Sequence, residues 1–221
     1  MELCLSRQAA QLASVRHPLR TRGSCDLMRN KALTTLWEFA ENEALQSGST
    51  LSHVLDPIGL ILFKPLKREE YESTPINSLA FATTGGDGVH YSLLTSGPQA
   101  DDQWPVVMTV PMNFGHENMI VGGDVWDFLS LGCRTGYFFL EQLTYDFPAT
   151  VYWLEHPEEW FEGLRADSHL SAGVERQLDL LRRIQLQLDL KPWERIPERL
   201  RALHDQYHST LELPFAGPGA A

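Results

Sequence analysis

Residues 81–94, FATTGGDGVHYSLL, set three glycines and an aspartate between two apolar runs, and no other stretch constrains the fold as tightly. Gly85, Gly86, Asp87 and Gly88 suit a tight turn: glycine adopts positive φ freely, and aspartate tolerates it while bonding its own backbone. Beyond the turn the alternation puts Val89, Tyr91 and Leu93 on one face and His90, Ser92 and Leu94 on the other. The pattern predicts a hairpin with strands over 79–81 and 89–93, and a third strand over 104–110, WPVVMTV. Three strands in close succession predict an antiparallel meander.

Around this sheet the period changes to that of helices. Leu33, Leu36, Trp37, Ala40 and Ala44 form an i, i+3, i+4, i+7 stripe, with Glu38, Glu41 and Glu43 off it, and Gly48 ends the pattern. IGLILF at 58–63 reads as a short buried strand, and the polar KREEYE after it as helical. Asp124 is a capping candidate for a helix carrying Val125, Phe128 and Leu129, and a short helix is expected around Tyr137, Phe138 and Leu140. Pro157 starts PEEWFEGL, with Glu158 and Glu159 where the helix dipole favours anions. A long helix over 172–188 and a final one over 198–207 follow. The fold expected is α+β: an antiparallel or mixed sheet of about 4–6 strands flanked by helices, with a helical C-terminal extension. Residues 28–165 are assigned to one domain, 166–212 to helices packed on it, and 213–221 to a disordered tail. Residues 1–27 hold four arginines and two acids, a composition similar to that of a transit peptide; a disordered leader and an over-long start both fit.

Charge and cysteine usage narrow the function classes. The formal net charge of -11 opposes phosphate backbones and anionic membranes, so direct binding of nucleic acid or lipid surfaces is not expected. Cys4, Cys25 and Cys133 are odd in number and widely spaced, which argues against a disulfide framework or structural zinc and for a reducing cytoplasm. No apolar run approaches the ~20 residues of a membrane-spanning helix. From Glu141 through Glu162 there are six acids and no Lys or Arg. Such a run is either a solvated face or a surface that docks a basic partner.

Chemical sites are weakly signalled. His116, Glu117 and Asp124, with His90, are usable divalent-metal ligands for a hydrolase, although their spacing matches no ligand motif. Cys133 is a conceivable nucleophile at the end of an apolar helical stripe, where a buried thiol is the commoner outcome. GGDG lacks the following Lys and helix of a phosphate loop, and no cofactor is expected.

FATTGGDGVHYSLL, then WPVVMTVPM, then MIVGGDVWDFLSLGCRTGYFFLEQL together resemble the SUKH superfamily, which includes fungal glucan-synthesis regulators and bacterial immunity proteins. The likeness spans residues 79–143 and includes Val125-Trp126-Asp127-Phe128-Leu129, similar to the family's aromatic-acid-Phe-Leu segment. It implies an α+β fold, no catalytic residues, and function by binding a protein. A basic toxin domain is the implied kind of partner, met by Asp101, Asp102, Glu155, Glu158, Glu159, Trp160 and Glu162.

Overall fold

The computed structural model describes residues 30–95, 101–167 and 170–214. Its centre is a five-stranded sheet in sequential order: β1 (Ile61–Lys67), β2 (Ser78–Thr83), β3 (His90–Leu94), β4 (Val106–Thr109) and β5 (Asn118–Gly122). Every neighbouring pair is antiparallel, as the meander reading expects. The hairpin register pairs Leu79 with Leu93 and Ala82 with Tyr91, and a bulge at Phe81 adds an aromatic side chain to the tyrosine face.

That face receives the helices. Helix α2 (Val125–Gly132) packs Phe128 against Phe81, Tyr91 and Tyr137, with ring centroids 5.5, 4.6 and 5.1 Å apart. Asp124 caps α2, its carboxylate accepting from the Asp127 N–H at 2.8 Å. Helix α1 (Lys31–Ser47) starts at Asn30, whose side chain accepts from the Leu33 N–H, and stops at Gly48 in the left-handed region. Its Leu33, Leu36, Trp37 and Ala40 are buried, as their spacing predicts. Glu43 corrects the expectation that it lies off the stripe: only 4% exposed, it pairs with Arg183 of α5 (Ser171–Gln187).

The other face bears His90, Ser92 and Leu94, and it is also buried. Part of its cover is the chain between β1 and β2, where Tyr71 stacks on His90 and the Ser73 carbonyl accepts from the Asn118 amide at 2.8 Å. Helix α6 (Ile196–Tyr207) runs beside β5, and the chain after it bonds back to residues 76 and 77. Helices α3 (Phe147–Glu155) and α4 (Pro157–Ala166) complete the molecule.

Four elements differ from the sequence expectation. β1 extends through Lys67, and KREEYE continues as irregular chain because its charges have no apolar stripe to bury. β5 is not anticipated by the sequence pattern, since its Met-Ile-Val run is too short to show a period and a bulge interrupts it at Val121. Tyr137 precedes a 3-10 segment, Phe138–Thr144, in place of an α-helix. α3 forms from β-branched and aromatic residues because Asp146 caps it and Pro148 fits its first turn. The expectations for residues 1–27 and for all of 213–221 but 213 and 214 lie outside the described residues.

Candidate functional site

The acids singled out in the sequence fall on two separate parts of the molecule. Glu155 ends α3, while Glu158 and Glu159 occupy the first turn of α4 and Glu162 the next, and all four are exposed. Glu158 and Glu162 border an open groove of about 540 Å3 against α5, which is also lined by Arg134, Arg165, Arg182 and Lys191. Glu159 turns the other way and accepts a hydrogen bond from the Tyr152 hydroxyl at 2.9 Å. Trp160 is half-buried, its ring 4.1 Å from Phe139 and 5.9 Å from Trp153, so it holds α4 to the neighbouring helix while offering one edge to solvent. Asp101 and Asp102 lie on the β3–β4 connection, at the opposite end of the sheet from the β2–β3 turn. Asp102 accepts from the Lys31 N–H at 2.6 Å and so helps to satisfy the start of α1.

The glycine-rich turn holds Gly85, Asp87 and Gly88 at φ of 82°, 48° and 74°. A Cβ on Gly88 would lie 2.6 Å from the Tyr71 ring, so both conformation and space require glycine there.

His116, Glu117, Asp124 and His90 do not form one cluster. His90 is buried, with Nδ1 2.7 Å from the Gly88 carbonyl and Nε2 3.1 Å from the Thr74 hydroxyl, and burial lowers its pKa. Asp124 is taken up in capping, and burial raises its pKa. His116 is exposed on the β4–β5 loop, with Glu117 beside it. Among the described residues, no group of three or more His, Cys, Asp or Glu is placed to hold a metal ion. Burial pushes the Cys133 thiol up to about 12, away from the range of a reactive thiolate.

One feature went unread in the sequence. The β4–β5 loop, PMNFGHEN, exposes Met112 and Phe114, and its His116 and Glu117 line a second groove, of about 610 Å3, with Tyr145. Two large apolar residues inside a Pro-, Asn- and Gly-bearing loop were the available signal, because such a loop has no interior in which to bury them. Among the described residues, no helix is long and apolar enough to cross a membrane. Comparison with protein-family models, curated proteins and solved structures found no match for this chain.

Proposed function

We propose that this chain is a SUKH-like protein-binding domain that works without catalysis, metal or cofactor in the cytoplasm and recognises a basic protein through its acidic surface. A toxin domain with a cationic substrate groove is the partner this reading favours. The observation that carries it is the exposure of Glu155, Glu158, Glu159 and Glu162 on adjoining helix ends within a run that contains no Lys or Arg. Carboxylates so placed raise the association rate with a cationic surface and penalise anionic competitors such as nucleic acid. The family resemblance adds weight, because its α+β sheet with flanking helices is the architecture found here.

The test is capture from a lysate of the source organism with the tagged chain, beside a variant carrying Glu155→Gln, Glu158→Gln, Glu159→Gln and Glu162→Gln. A stoichiometric basic protein, released by salt and captured about tenfold less by the variant, is the expected result. Recovery of the chain alone, or of a partner indifferent to the four substitutions and to salt, would sink the proposal.

A further inference from the structure

From residue 69 to residue 164 the chain carries fifteen carboxylates and one Lys or Arg, Arg134. The Arg134 guanidinium is half-buried and donates to the carbonyls of Leu154 at 2.8 Å and Glu155 at 3.4 Å. The acidic character therefore extends past the α3–α4 surface to strands β2–β5 and the loops between them, whereas β1 carries Lys64 and Lys67.

Where β4 turns into β5, this acidic surface also presents apolar side chains to water. Phe114 is 80% exposed, Met112 61% and Tyr145 53%. Asn113, between Met112 and Phe114, donates to the Thr144 carbonyl at 2.7 Å, which fastens the loop to the segment bearing Tyr145. The loop is also closed on itself. Val110 donates its N–H to the Glu117 carbonyl at 2.7 Å, and His116 to that of Asn113 at 3.0 Å. A single exposed apolar residue is common on any protein, whereas three on two fastened segments beside a groove form the kind of patch that marks a contact surface. Because the loop is ordered before binding, immobilising it costs little entropy.

Resting on the partner-binding reading above, we propose that this end of the sheet anchors the interface and takes a cationic protein segment, which sets an apolar side chain beside Phe114 while its Lys or Arg groups meet the surrounding carboxylates. Charge selects this occupant. Glu117 lines the groove, Asp146 follows Tyr145, and Asp87 and Glu141 lie close enough together for the Asp87 charge to reach Glu141. His116, His204 and His208 line the groove as well, and the Arg201 guanidinium lies 6.0 Å from the centroid of the Phe147 ring. A second copy of the chain would bring one net charge of -11 against another, which opposes self-association.

A random twelve-residue peptide library displayed on phage, selected on the full chain and counter-selected on Phe114→Ala, tests this directly. At its exposure Phe114 can be truncated without opening the core, and Met112→Ala provides a second variant. The expected peptides carry net positive charge and a bulky apolar residue, bind about tenfold more weakly to either variant, and weaken further as salt rises. The proposal is overturned if no peptide distinguishes the variants from the parent, or if the distinguishing peptides are neutral or acidic. It is equally overturned by a dimer of the chain that Phe114→Ala dissociates. Peptides that lose binding only to the four-fold glutamine variant on α3 and α4 would remove the anchor and leave the acidic-surface reading standing.

Discussion

Cys133 and His90 show how burial dominates side-chain chemistry in this fold. With the Cys133 thiol pushed up to about 12, a Cys4→Ser, Cys25→Ser variant should leave one thiol that reacts with a disulfide reagent at pH 8 much more slowly than it does in denaturant. Fast labelling of the native variant would show the site to be open. His90 takes up its proton at lower pH than an unperturbed histidine. Burial lowers its pKa against the opposing pull of the Gly88 carbonyl, so the unfolded chain binds a proton that the folded chain resists. Its contribution to stability is present above the unfolded value of about 6.5 and is lost as pH falls through the folded value. His208 is lowered too, by burial and then by the charge of His204, so the control is a substitution at one site only. The melting temperature of the parent should fall more steeply between pH 7.5 and 5.5 than that of His90→Gln, and equal slopes would remove His90 as the cause.

Among the elements, α2 depends most on single positions. A Cβ on Gly132 would sit 2.1 Å from the Tyr137 ring, which is itself held by a hydrogen bond from its hydroxyl to the Leu129 carbonyl. Gly132→Ala should therefore cost about 3 kcal/mol by overpacking, and Asp124→Ala about 1 kcal/mol by uncapping, both measurable by urea unfolding. The capping role of Asp124 and the stripe of α1 were legible in the sequence because each is written within a few residues, as were the turn and the two strands beside it. β5 and α3 were not. β5 takes its identity from its partner strand, and α3 is built from residues that favour strands and is fixed by its cap and its packing. The acids of the candidate surface were legible as a charge run, but their division between the α5 groove and the Tyr152 side depends on helix phase that a list of charges does not contain. The role of Phe114 is not legible in the sequence, because an apolar residue in a loop declares its exposure only once its neighbours are placed.

At the scale of the whole molecule, the buried Glu43 ties the first described helix to α5, across 140 positions of sequence. Arg183→Met removes the cation that compensates this carboxylate and should destabilise the protein by about 2–3 kcal/mol, while Glu43→Met with Arg183→Met should regain most of the loss. One unfolding transition that shifts as a unit is expected, because the core side chains of α1, the sheet, α5 and α6 form a single packed cluster. Two separated transitions would show the C-terminal helices to be independent of the sheet. The scarcity of cations between residues 69 and 164 has a consequence for the laboratory as well. Trypsin cuts after Lys and Arg, and within that span it meets only the bond after Arg134, whose side chain is fastened to the end of α3. In the folded protein the segment from β2 to the start of α4 should resist limited digestion, because its one cleavable bond lies beside a fastened side chain. Complete digestion of the unfolded chain yields a peptide of 66 residues, 69–134, too long for routine peptide mass mapping, so the hairpin that organises this fold is also its least visible part in a tryptic survey.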